Sequence, residues 1–226
     1  MKTEWLPILN KSAIFSGIKD DEIETLLNCL SATHHEYKKG EFIFMNDETF
    51  DRIGLIIKGQ VQISKSDYWG NRTIISNLKP SQIFGEVYAC VGKPAYNITG
   101  EALEKTEILL LDLKKIMNKC SQSCVFHQKL IDNLLYVISS KAMMLNQKID
   151  DMSQRTTKGK VLSYLSNQAK KQGKNTFKIP FNRQAMADYL SVDRSALSKE
   201  LGKLRDEAII SFKGSTFTLL QGPENY

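Results

Sequence analysis

Residues 182–220, "NRQAMADYLSVDRSALSKELGKLRDEAIISFKGSTFTLL", decide the fold. Asn182 is a good N-cap for a helix over 183–190, in which Met186 and Leu190 share one face at i, i+4 spacing. Ser191-Val192-Asp193 then predicts a tight turn, with Val192 plugging the angle between two helices and Asp193 capping the second. Leu197, Leu201 and Leu204 are four and three apart and fix the buried side of that second helix, so Arg194, Ser195, Ser198 and Lys199 share its outward N-terminal part. Behind it, "AIISFKGSTFTLL" reads as strand, Lys213-Gly214-Ser215 turn, strand, a wing able to lie along a nucleic-acid backbone. A helix presented this way enters the major groove of double-stranded DNA with its N-terminal residues against base edges. There an Arg can donate two hydrogen bonds to guanine, and a Lys can reach guanine or phosphate. Arg194 is the first candidate for base reading.

Charge supports that reading. Residues 153–226 hold 13 Lys plus Arg against 6 Asp plus Glu, a net +7, whereas residues 1–152 hold 18 against 19, a net −1. The basic excess therefore lies wholly in the last third, the pattern of a polyanion-binding module joined to a neutral one.

Upstream of this module, "SCVFHQKLIDNLLYVISSKAMMLNQKIDDM" carries Ile131, Leu135, Ile138, Ala142, Leu145, Ile149 and Met152 at unbroken 4, 3 spacing. Three heptads of this kind predict a coiled-coil seam about 30 Å long and hence a homodimer. A second stripe of Leu130, Leu134, Val137 and Met144 is expected to rest on the preceding domain. The polar joint "DDMSQRTTKGK", with Gly159 and paired threonines, predicts a hinge, and the "GKNTFKIPF" segment a loop.

From about residue 34 to 112 the chain reads as short strands with turns at Gly40, Gly59, Gly70-Asn71 and Gly100. In "GQVQIS", Val61 and Ile63 alternate with Gln60, Gln62 and Ser64, so one face is apolar. Many short strands argue for a sandwich or barrel, after a helical lead-in at "DDEIETLLNCL". No apolar run reaches the roughly 18 residues of a membrane span, and "MKTEWLPILNK" lacks a signal core, which predicts a cytoplasmic protein without a membrane partner.

Four cysteines, Cys29, Cys90, Cys120 and Cys124, form neither a disulfide framework nor a metal knuckle, although Cys120 and Cys124 at helical spacing are compatible with a redox pair. A metal-dependent barrel enzyme would need several converging ligands. His34 and His35 are adjacent on a strand and point to opposite faces, and His127 falls on the helix. Neither enzyme activity nor a metal is expected.

Through "FGEVYACVG" and "SVDRSALSKELGKLRDEAII", the chain resembles the Crp/Fnr family of bacterial transcription regulators, the catabolite activator type, over nearly its whole length. The resemblance implies an α+β protein: a cupin-like β-roll of the cyclic-nucleotide-binding kind at 1–119, a dimerisation helix at 120–152 and a winged helix-turn-helix at 153–226. It implies that Arg194, Ser195 and Lys199 take three base-reading positions, where the family often has Arg, Glu and Arg, and that Arg183 and Gln184 contact phosphate. Two heads on a twofold dimer would read an inverted repeat with half-sites about one helical turn apart. RNA polymerase is an implied partner if the protein activates.

For the effector pocket the resemblance points to Gly85, Glu86, Tyr96, Asn97, Ala142 and Met143. Members that bind cyclic AMP use an Arg-Ser-Ala triplet to neutralise its phosphate. This chain has Tyr96-Asn97-Ile98 there, and a phosphate buried without its cation would cost several kcal/mol, so cyclic AMP is not expected. The Fnr branch's N-terminal cysteine set is also missing, which argues against an iron-sulfur cluster, and no histidine suggests a haem ligand. Three readings stay open: an uncharged small-molecule effector, an effector-free scaffold, and redox control through the cysteines.

Overall fold

The computed structural model describes residues 3–45, 50–92, 94–118 and 125–220. Cys120 and Cys124, the redox-pair candidates, lie outside them. Contacts divide the chain into Met1–Ser140 and Lys141–Tyr226.

The first unit opens with α1 (Leu6–Leu9) and α2 (Asp20–Cys29). Asp20, Asp21 and Glu22 favour a helix start at α2, since acids complement the positive end of the helix dipole, and Glu22 accepts the Lys19 backbone N–H at 2.9 Å. Ile23, Leu26 and Leu27 form its buried face. Eight strands follow: β1 (Thr33–Tyr37), β2 (Phe42–Phe44), β3 (Arg52–Lys58), β4 (Val61–Ser66), β5 (Arg72–Leu78), β6 (Ile83–Phe84), β7 (Ile98–Ala102) and β8 (Thr106–Asp112). The short α3 (Glu86–Val91) separates β6 from β7, and α4 (Leu113–Met117) follows β8. They make two antiparallel four-stranded sheets, ordered β1-β8-β3-β6 and β2-β7-β4-β5.

Gly40, Gly59 and Gly70 take positive φ at turns as expected, but Gly100 lies inside β7, where the Phe44 ring fills the space a side chain would need. The expected alternation along β4 holds: Val61 and Ile63 pack into an apolar cluster, while Ser64 shares the polar face with Gln62, its hydroxyl 2.9 Å from Thr99 and accepting from Arg72 Nε at 2.8 Å. The register shift opposite Ile63 and Ser64 places an extra residue, Ile75, in β5.

The helix α5 (Val125–Ser153) is 29 residues long, about 44 Å. Its first half belongs to the roll. Leu130 and Leu134 are buried in the roll's main core, with Ile131, Val137 and Ile138 packed against it. Asn133 donates to the Ile14 and Ser16 carbonyls at 3.0 and 2.8 Å, fixing helix to lead-in. The second stripe is thus seated on the roll as far as Val137, while Met144 is exposed.

The second unit holds the end of α5, then α6 (Thr157–Gln172), β9 (Thr176–Lys178), α7 (Arg183–Leu190), α8 (Arg194–Asp206), β10 (Ile210–Lys213) and β11 (Thr216–Leu219). Its apolar core gathers Val161, Tyr164, Leu165, Met186, Leu190, Leu197, Leu201, Leu204 and Phe217. Two sequence expectations need correction. The "GKNTFKIPF" stretch is not all loop, because Phe177 is buried opposite Phe217 and β9 joins the wing in a three-stranded sheet. The joint is also shorter than "DDMSQRTTKGK". Asp150 to Ser153 still belong to α5, Thr156 caps α6 by accepting the Gly159 N–H at 3.0 Å, and Gly159 is helical, which leaves residues 154–156. The unit boundary at 140/141 falls inside the helix assigned from sequence to 120–152, because the last turns of α5 pack with α6 and α7.

Candidate nucleic-acid interface

The first helix of the reading head begins as expected, with Asn182 Oδ1 accepting the Ala185 N–H at 2.8 Å. The turn is made by Ser191 in the left-handed region (φ 50°), and Val192 packs on the core. Asp193 occupies the N-cap position of α8 in extended conformation, but its side chain makes no capping bond, contrary to the sequence expectation. Burial, not capping, orients the helix: Leu197, Leu201 and Leu204 are at most 1% exposed.

That orientation leaves Arg194, Ser195, Ser198 and Lys199 exposed together on the first two turns. Among the described residues neither Arg194 nor Lys199 forms an ion pair. Lys213 stands exposed at the wing turn, which Gly214 closes with φ 59°.

Arg183 and Gln184, the phosphate candidates, are already engaged. The Arg183 guanidinium lies 4.8 and 5.1 Å from the ring centres of Phe212 and Phe217, and partial burial lowers its pKa. Gln184 Nε2 donates to Asp188 Oδ1 at 2.8 Å. A cleft of about 210 Å³ opens here, lined by Phe181, Asn182, Arg183, Gly214 and Ser215. The arrangement leaves one face of the guanidinium anchored on aromatic carbon while its charge borders the cleft.

Two features went unread in the sequence. Lys160 Nζ donates to the Leu190 and Ser191 carbonyls at 3.1 and 3.4 Å, placing a cation at the negative end of α7. Lys158 pairs with Glu207 at 2.7 Å, tying the start of α6 to the end of α8. Both are contacts across more than 29 residues of sequence, which no local pattern encodes.

The candidate effector residues are dispersed in burial. Gly85 takes φ 81° at the start of α3, and Glu86 is 3% exposed. Its charge, after desolvation, contributes to raising the pKa values of Tyr88 and Cys90. Tyr96 is 62% exposed and Asn97 is exposed at φ 59°, so neither side chain turns into the roll. Ala142 and Met143 are exposed residues of the other unit. The space over Gly85 is taken by an aromatic cluster of Phe44, Phe50 and Phe84, with ring centres 4.9 to 6.1 Å apart. A Cβ on Gly85 would fall 2.2 Å from Phe50, and one on Gly54 2.1 Å from Phe84.

His34, Glu36 and Glu107 bring ligand-type atoms within 4.8 Å of one another, a convergence the sequence reading missed because it crosses two strands. Local contacts account for it: His34 Nε2 lies 3.2 Å from Glu107 Oε2, and Lys105 pairs with Glu36 at 3.1 Å. His35 is exposed, and buried His127 has Nε2 2.8 Å from the Ile116 carbonyl.

Residues 34–123 match the family profile described as Cyclic nucleotide-binding domain, and residues 159–223 match that of the Crp-like helix-turn-helix domain. The chain belongs to the Crp/Fnr family of transcription regulators. Among its relatives in the Crp/Fnr family, the Anaerobic regulatory protein of Bacillus subtilis is 22% identical over 205 residues, 88% of this chain and 84% of that one. The CRP-like cAMP-activated global transcriptional regulator of Mycobacterium tuberculosis is 21% identical over 214 residues, 92% of each. The fold is shared with the Catabolite Activator Protein of Thermus thermophilus (TM-score 0.56, 20% identity, 92% of this chain and 93% of that one). It is also shared with OCPA-complexed CprK (TM-score 0.63, 16% identity, 89% and 91%).

Proposed function

We propose that the protein works as a homodimer that reads an inverted-repeat operator in double-stranded DNA through α8. The observation that carries this reading is the shared exposure of Arg194, Ser195, Ser198 and Lys199 on a helix whose other side is buried by Leu197, Leu201 and Leu204. Arg194 supplies the bidentate contact to guanine. Lys199 supplies a single-point contact, because an ammonium lacks the planar fork of the guanidinium. Lys213 on the wing and Arg183 at the cleft take phosphates. Dimerisation uses the outward seam of α5, where Leu135, Leu145 and Ile149 are 58–62% exposed in the single chain.

In the roll, the Phe50 ring over Gly85 and the outward Tyr96 and Asn97 favour either an uncharged effector or none. A cyclic phosphate would meet hydrocarbon where it needs a cation. A regulator built this way acts where the DNA is and performs no catalysis; RNA polymerase is its further partner where it activates.

Selection from a pool of random duplexes tests the reading. The expected product is an inverted repeat with half-site centres about 34–36 Å apart, whose affinity falls steeply with salt. Recovery of an unrelated pool, or of a lone unrepeated motif, would count against it.

A further inference from the structure

The end of α5 contains a side chain that the functional reading does not use. Asp151 is completely buried, in a helix's last turn, where an acid opposes the dipole and must be held by contacts from elsewhere. Its Oδ1 accepts from Ser163 Oγ at 2.7 Å, Asn167 Nδ2 at 2.9 Å and Gln147 Nε2 at 3.4 Å, and its Oδ2 accepts from Tyr189 Oη at 3.2 Å. These donors come from α5, α6 and α7, all within Lys141–Tyr226.

Among the described residues no Lys or Arg pairs with Asp151, so its charge is compensated by four neutral donors. A buried carboxylate tolerates such a setting only while those donors stay in place. The bond set therefore spans the three-residue joint from the side and ties the last turn of the long helix to the first two helices of the head. Ser191 Oγ, 4.0 Å from Met152 Sδ, adds a contact next to it. The apolar core of the head, from Val161 to Phe217, is complete without Asp151.

We infer that Asp151 is a positioning residue for operator reading: it locks the reading head to the end of the dimer helix and so sets the half-site spacing the dimer accepts. This rests on the homodimer reading above. With the lock closed, a head cannot swivel about residues 154–156. Inserting one base pair between half-sites moves them by about 3.4 Å and about 35°, and the dimer must then lose contacts. With the lock open, the joint absorbs the change.

The experiment compares wild type and Asp151→Asn on operators whose central spacer is native, one pair longer or one pair shorter, with an isolated half-site as control. Asparagine keeps the shape but removes the charge and replaces one acceptor oxygen by an amide donor, so the Tyr189 hydroxyl loses its acceptor. Wild type should discriminate against the altered spacers by about tenfold or more; Asp151→Asn should compress that ratio to within about threefold, with half-site affinity unchanged. Wild-type discrimination retained in the variant would overturn the inference. Should Asp151→Asn fail to fold, Tyr189→Phe removes one donor while leaving the ring against Tyr164 and Phe181, and its spacer ratio is read the same way. If wild type itself selects no repeat, the homodimer reading fails instead, so the two failures are distinct.

Discussion

In the roll, Phe44, Phe50 and Phe84 turn their rings inward onto backbone left bare at Gly54 and Gly85, whereas in the head Leu197, Leu201 and Leu204 turn inward so that Arg194 and Lys199 face out. The roll presents its distinguishing residues to its own interior, and the head presents them to solvent. On the proposed reading, the contrast lets one chain present a DNA-reading surface while its roll offers no cation to a cyclic phosphate. A surface needs only exposed donors on a well-packed helix. A phosphate pocket needs a cation, a hydrogen-bonding cradle and empty space at once.

The contrast can be broken from either side. The largest effect is expected from Leu145→Glu with Ile149→Glu on the outward seam of α5. Sedimentation should report a monomer, and operator affinity should fall by about 10²–10⁴ as the advantage of two linked heads is lost. A stable dimer would place the interface elsewhere.

Next is Gly54→Ala in the roll. Its methyl would fall 2.1 Å from Phe84 Cζ, and overpacking of this kind costs about 1–3 kcal/mol. Denaturant unfolding should show the loss in the roll's transition, and Phe84→Leu should recover part of it. Equal stability would mean that the aromatic cluster is loose.

A smaller effect is expected in alkali. Burial, the Asp151 charge and the hydrogen bond to it push Tyr189 up to about 12, and burial raises Tyr164 as well. Both phenols are favoured in the neutral form when folded, so this stabilisation is present below pH 10 and is lost as pH rises toward about 12. The head's thermal midpoint should fall across that window and fall less in Tyr189→Phe. A midpoint that does not move with pH would contradict the assignment.

Those particulars also show what a linear reading can reach. The head was legible because each of its signals is local: Asn182 three residues before the N–H it caps, Leu197, Leu201 and Leu204 at helical spacing, Gly214 at its turn. The helix α5 was legible for the same reason, although Ile131 and Ile138, read as seam residues, pack against the roll's core. Phe50 over Gly85 was not, since it depends on residues about 35 apart meeting across a sheet. Nor was the Asp151 network, although two acids in the final turn of a helix were a hint that something downstream holds them. Asp193 shows the reverse error, a local signal at the right position whose hydrogen bond is not made. The bulge at Ile75 in β5 was invisible because an inserted residue shifts a strand's phase without altering its composition.

The most direct test of the account is a titration of wild type and Arg194→Ala against the selected operator and a scrambled duplex at one salt concentration, with the dimer monitored in parallel. Loss of one bidentate guanine contact, about 1–3 kcal/mol, predicts an operator affinity about 5- to 150-fold weaker and an unchanged affinity for scrambled DNA. Unchanged discrimination between the two duplexes, in an intact dimer, would contradict the placement of α8 as the reading helix.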